Sequence, residues 1–205
     1  MRTSAEVVCV DGVDGVEAVI IRNTRTGRLS AVNASAFLSC ESALESTLLM
    51  RTHPGLPDVI IRPARLDEHA VLESLQRRAS LNNPGDRGAL LANPDAIALP
   101  IEQIEQGCVF VAERDGIVAG FAAVVPRSDG GAELDALFVE PDLWKRGIGR
   151  RLIDYVAEVA GVRNASFLHV IGNPHAEGFY VSCGFRETGR VETRFGTGLD
   201  MRRPV

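Results

Sequence analysis

The sequence predicts an α/β (α+β) fold, a mixed and mostly antiparallel central sheet flanked by helices. Three observations carry this expectation. Short apolar runs bounded by Gly- and Pro-containing turns recur from residue 58 onward. Two stretches of helical spacing, at 67–79 and 147–160, interrupt them. Three of the runs follow one another through tight turns, Arg114-Asp115-Gly116 and Asp129-Gly130-Gly131, as antiparallel neighbours do.

Taken in order, residues 59–62 form a strand ended by Pro63, which has no N–H to give a ladder. Leu66, Ala70, Val71, Leu75 and Ala79 recur with the period of an amphipathic helix, placed at 67–79. Residues 81–100 are turn-rich, with Asn82-Asn83-Pro84-Gly85 and Asn93-Pro94, and a short helix precedes Gly107. Strands follow at 108–113, 117–125 and 132–139, then the helix at 147–160. A strand at 166–171, a short helix at 174–183 and strands at 185–189 and 199–202 complete the chain.

Residues 1–57 read differently. Residues 7–10 and 18–21 can pair as a hairpin across Gly/Asp turns, and 43–50 is a weak helix within a Ser/Ala/Thr-rich stretch. The expected organisation is a poorly structured extension at 1–57, or the product of a start codon placed upstream of Met50, followed by one domain at 58–205.

Composition excludes several classes. At 205 residues the chain suits a single domain with a substantial core. No run approaches the ~20 apolar residues of a membrane span, and Glu6, Asp11 and Asp14 interrupt any secretory pattern, so a cytoplasmic protein is expected. A formal net charge of −5 argues against non-specific nucleic-acid binding. Cys9, Cys40, Cys108 and Cys183 have no metal-ligand spacing and the four histidines are scattered, so no metal is expected. Cys183 reads as a small buried filler. The chain is expected to be a monomer or homodimer.

Against this acidic background, Lys145, Arg146, Arg150 and Arg151 put four cations into seven residues, where an apolar strand ending at Pro141 gives way, through a basic turn, to a helix beginning near Gly147. Strand, glycine turn and helix N-terminus together build an anion site. Backbone N–H groups of residues 145–150, Ile148 included, converge there, and Gly147 and Gly149 leave room for a phosphate. A dinucleotide fold requires a third glycine where Leu152 stands, and a P-loop requires Gly-Lys-Ser/Thr, which is absent.

The stretch resembles motif A of the GNAT superfamily of acetyltransferases, which runs L-x-V-x-P, then Gln or Arg, two variable residues, and G-x-G or G-x-A. Leu137, Val139, Pro141, Gly147 and Gly149 fit, while Trp144 stands where the family has Gln or Arg. Residues 173–185 resemble the family's motif B through Asn173, Ala176, Phe179, Tyr180, Gly184 and Phe185. The resemblance spans residues 58–205. It implies acetyl-CoA as co-substrate, held by Lys145, Arg146, Gly147, Ile148, Gly149 and Arg150 at its phosphates. Main-chain groups of Phe138 and Val139 would meet pantetheine, and Asn173 the cofactor arm. It further implies the N–H of Leu137 as donor to the thioester carbonyl and Tyr180 as the acid that protonates the leaving thiolate.

Acetyl transfer to an amine also needs a proton acceptor. Glu133 and Asp135 lie two residues apart on one strand face. Relatives with a glutamate base on this strand carry it at the position of Glu133; Asp135 is the other candidate. Burial between apolar strands would raise the pKa of such an acid. The implied function is direct transfer to a primary amine of a small molecule or peptide. The alternative is a non-catalytic acyl-CoA-binding or sensing domain of the same fold.

Overall fold

The computed structural model describes the backbone of residues 5–11, 18–23, 29–33 and 51–52. It describes backbone and side chains of 59–205 except 84–86, 89–90, 94–96 and 194–195. The chain divides into two compact units, Met1–Arg51 and Thr52–Val205.

In the first unit β1 (Ala5–Asp11), β2 (Ala18–Asn23) and β3 (Leu29–Asn33) form a three-stranded antiparallel sheet. The expected hairpin is present, with Val7 opposite Ile21. β3 is an addition that the sequence reading does not anticipate. The helix expected at 43–50 falls outside the described residues.

The second unit begins, after the two-residue strand β4 (Arg51–Thr52) at the junction, with β5 (Val59–Pro63). A 3₁₀ turn, Leu66–Glu68, leads into α1 (His69–Asn82), and α2 (Ile101–Glu105) follows. Next come β6 (Val109–Arg114), β7 (Ile117–Pro126) and β8 (Ala132–Val139). Then α3 (Ile148–Val162), β9 (Phe167–Gly172), α4 (Glu177–Ser182), β10 (Arg186–Thr193) and β11 (Gly196–Pro204). The sheet order is β10-β11-β9-β8-β7-β6-β5-β4. From β5 on, the pairs are antiparallel except β8 with β9, which run parallel. Asp115 (φ 52°) and Gly116 (φ 77°) make the β6–β7 turn, a pair of left-handed residues as a two-residue hairpin requires.

Helices cover both faces of this sheet. Leu72, Leu75 and Ala79 of α1 are buried with Val109, Val111, Phe121 and Ala123. Phe110 points the other way, by strand alternation, and meets Tyr155 of α3 with ring centroids 5.3 Å apart. Each such fully buried large side chain contributes about 1.5–3 kcal/mol. On α3, Ile148, Leu152, Tyr155, Val156 and Val159 are all buried, and they fix the helix that leaves the anion loop.

Candidate active site

β8 and β9 pair at only two positions, Ala132 with Leu168 and Glu133 with His169. Beyond these, β8 follows β7 as far as Val139, and β9 follows β11 as far as Gly172. A gap therefore opens between them toward their C-terminal ends. A β-bulge accompanies the parting: Val124 faces Leu134 and Ala123 faces Ala136, which leaves Asp135 with no opposite residue.

The ladder decides which main-chain groups face the gap. The Glu140 N–H donates to the Ala119 carbonyl at 2.9 Å. Alternation along an antiparallel pair then makes Phe138 with Phe121 the next hydrogen-bonded pair. Leu137 and Val139, in between, turn N–H and C=O away from β7 and into the gap. Phe138 directs its own toward β7. This corrects the expected main-chain contact of Phe138 with pantetheine. Its ring packs instead against Phe121, centroids 5.6 Å apart, at the edge of the core under α1.

The strand runs into a 3₁₀ turn, Pro141–Leu143, and then the anion loop. Lys145 (φ 61°) and Gly147 (φ 83°) are both left-handed, which coils the intervening N–H groups toward one side. Gly147 is the N-cap of α3, whose first N–H groups have no intrahelical acceptor. Lys145, Arg146 and Arg150 are exposed. Arg151 is not part of this site: it is buried and donates to the Val59 carbonyl at 2.8 Å. Ile148 is buried, so only its N–H is placed for a ligand. A Cβ at Gly149 would lie 3.1 Å from the Phe179 ring, so this glycine lets α4 close on α3. Trp144 donates its indole N–H to the Val139 carbonyl at 2.8 Å.

Glu133 sits where the strands part. Its Oε2 accepts from Arg127 Nη1 at 2.5 Å and lies 2.5 Å from His169 Nδ1. His169 is buried, and its Nε2 lies 3.1 Å from Asp200 Oδ1. Asp200 also accepts from Thr188 Oγ1 at 2.5 Å. Arg127 holds the Asp129 carboxyl down at about 2 through their hydrogen bonds. The surroundings of Glu133 are therefore polar, not the apolar ones expected from the strand sequence. Asp135 is exposed and accepts from Gln103 Nε2 of α2 at 2.8 Å. The two candidate bases have different partners: an arginine and a histidine for Glu133, a neutral amide for Asp135.

Tyr180 stands on α4 against the end of β9. A Cβ at Gly172 would be 3.0 Å from its ring, and Phe179 and Phe185 pack on it with centroids 5.4 and 5.6 Å away. Asn173 caps the turn Pro174–Ala176, its Oδ1 accepting from the His175 N–H at 2.9 Å. His175 is exposed. Cys183 is buried and its thiol is pushed up by that burial, as suits a filler. Leu137, Val139 and the anion loop thus form one lip of the gap, and Gly172 with Tyr180 lies on the other. Arg127 and Asp200 are absent from the sequence reading, and His169 enters it only as one of four scattered histidines. A histidine in the middle of the apolar run 167–172 is the signal that could have found them, because a buried ring nitrogen needs partners.

Thr188, first, and His169 hold the Asp200 carboxyl below the usual carboxylate range. A lowered folded pKa stabilises the fold above the ordinary Asp value, and that stabilisation is lost as pH falls through the lowered one. Asp200→Asn should therefore lower Tm at pH 7, and the difference from wild type should close as pH drops below about 4. A difference independent of pH would mean that packing, not charge, is what Asp200 contributes.

Residues 105–187 match the family model of an acetyltransferase (GNAT) domain. Over these residues the chain is similar to the GNAT family. Peptidyl-lysine N-acetyltransferase YjaB of Escherichia coli (strain K12) is 37% identical to it over 84 residues, 41% of this chain and 52% of that protein. The protein of the same name from Salmonella typhimurium is 37% identical over 62 residues, 30% of this chain and 41% of that one. The chain thus spans about half, or less, of the length of these curated relatives. Among solved structures, the PaiA N-acetyltransferase from Thermoplasma acidophilum in complex with coenzyme A superposes with a TM-score of 0.59 at 15% identity. That likeness covers 72% of this chain and 99% of that one. It is one of fold, and it agrees with a GNAT sheet flanked by helices. Among the described residues, no helix is long and apolar enough to cross a membrane, and no group of three or more His, Cys, Asp or Glu side chains is placed to hold a metal ion.

Proposed function

We propose that this GNAT-like domain transfers the acetyl group of acetyl-CoA directly to a primary amine. The observation that carries the reading is the gap between β8 and β9. Main-chain groups of Leu137 and Val139 face into it, and it ends at a loop with two left-handed residues and three exposed cations. An extended amide-bearing arm fits along β8 as a further strand would, and its phosphates fit the loop.

In this reading the Leu137 N–H takes the thioester oxygen as it gains charge, worth most where water is excluded. Glu133 accepts the amine's proton, directly or through a water, while Arg127 and His169 fix its carboxylate. Tyr180 returns a proton to the thiolate from the far lip; a phenol of pKa near ~10 suits that leaving group. Asn173 approaches the cofactor arm. Lys145, Arg146 and Arg150 neutralise its phosphates beside the N–H groups of Gly147, Ile148 and Gly149. The names of the curated relatives make a lysine side chain in a peptide the first acceptor to try; small-molecule amines remain in the same class.

One observation favours a second reading, a non-catalytic acyl-CoA-binding or sensing domain. The Oε2 of Glu133 is already engaged by two partners. A panel of lysine peptides and small amines, assayed with acetyl-CoA for free thiol, separates the two. Thiol release that depends on an amine supports transfer. Saturable acetyl-CoA binding with no release on any acceptor supports the second reading.

A further inference from the structure

The Val139 carbonyl is occupied from within the chain. It is the gap-facing acceptor nearest the anion loop, and the Trp144 indole N–H donates to it at 2.8 Å. The loop itself brings the indole there. The turn Pro141–Leu143 folds the chain back, Trp144 follows it in extended conformation (φ −61°, ψ 155°), and the left-handed Lys145 turns the chain again into the helix. Glu140, before the turn, is tied to α1 by an ion pair with Arg78. The conformation that gathers the N–H groups of the loop therefore also lays an aromatic side chain over the free edge of β8. An N–H group 2.8 Å from a carbonyl that points into the gap places part of the ring in the gap. Trp144 is 40% exposed, so a path to water is open to the ring when it leaves the carbonyl.

We propose that Trp144 sets the affinity of the cleft for the pantetheine arm of its ligand, because an amide N–H of the arm must displace the indole from the Val139 carbonyl. The inference rests on the reading of the gap as the acetyl-CoA site. Displacement exchanges one hydrogen bond for another, so the indole subtracts about the worth of one bond from the ligand's binding. A ligand without the arm has nothing to displace.

Trp144 is the chain's single tryptophan, so its emission reports on this side chain alone. Trp144→Phe keeps an aromatic ring and removes the N–H. It should bind acetyl-CoA roughly two- to tenfold more tightly than wild type, the range of one net hydrogen bond. Adenosine 3′,5′-bisphosphate, which carries phosphates and no pantetheine, should bind both proteins equally. Saturating acetyl-CoA should shift wild-type emission to longer wavelength as the indole moves into water, and the bisphosphate should not. Unchanged or weaker acetyl-CoA affinity in Trp144→Phe overturns the inference, and so does equal tightening for the bisphosphate. Should neither protein bind acetyl-CoA at all, the acetyl-CoA reading of the gap falls with it, a result distinct from equal binding by both.

Discussion

Glu133→Gln should lower kcat by roughly 10²–10⁴ on whichever amine proves to be the acceptor, if proton removal limits the rate. The substitution keeps the size of the side chain and removes its ability to take a proton. Acetyl-CoA affinity should barely change, because Glu133 lies where β8 and β9 part, six residues back along the strand from Val139. The loss should shrink at high pH, where free amine is abundant. Tyr180→Phe removes only the hydroxyl and leaves the ring on Gly172, Phe179 and Phe185, so it too should lower kcat without unfolding the protein. If both residues serve one step, the double variant should lose less than the sum of the two. Full activity in Glu133→Gln with loss in Asp135→Asn would move the base to the bulge. There the carboxylate is exposed and held by Gln103 alone among the contacts described. If neither matters, the amine enters neutral and the site works by positioning.

Gly147→Val should weaken acetyl-CoA binding by roughly 10- to 100-fold, the loss of one hydrogen bond to a charged phosphate at about 1.5–3 kcal/mol. Two effects act together. The branched side chain stands where a phosphate approaches the backbone, and φ 83° at this position is strained for any residue with a Cβ. That strain, of order 1–3 kcal/mol, should also appear as a lower Tm, which a melting curve separates from the binding loss. Arg146→Glu should weaken binding less, by a few-fold at low salt, because an exposed charge is screened. Calorimetric affinities unchanged in both variants would remove the anion loop from the site.

The part of the fold that builds this loop is legible in the sequence for a physical reason. β8 is bounded by the Gly130-Gly131 turn and by Pro141, and its ends fall at Ala132 and Val139 as expected. α3 has a wide apolar face and a left-handed glycine at its start. The outer hairpin is less legible: β10 and β11 reach Thr193 and Gly196, well beyond the strands expected at 185–189 and 199–202. β10 has no buried face, so its residues need not alternate, and a strand pattern rests on alternation. β3, Leu-Ser-Ala-Val-Asn, is short, and its apolar residues do not alternate strictly.

At the site, residue types near one another in sequence could be read, and register could not. Trp144, Lys145 and the glycines lie in a few consecutive positions. Arg127, Glu133, His169 and Asp200 come from four separate places, and only strand pairing assembles them. Phe138 makes the same point within one strand. Its place in the family pattern suggests a contact with the ligand, and the single hydrogen bond from Glu140 to Ala119 sets an alternation that turns it toward β7.

That alternation offers the most direct test of the account, by amide hydrogen exchange at single residues with and without acetyl-CoA. The Leu137 and Val139 amides should exchange readily in the free protein and become strongly protected when acetyl-CoA is added, while the Phe138 amide should be protected in both states. Unchanged exchange at Leu137 and Val139 in a protein saturated with acetyl-CoA would contradict the account, because the ligand would then lie somewhere other than along the open edge of β8.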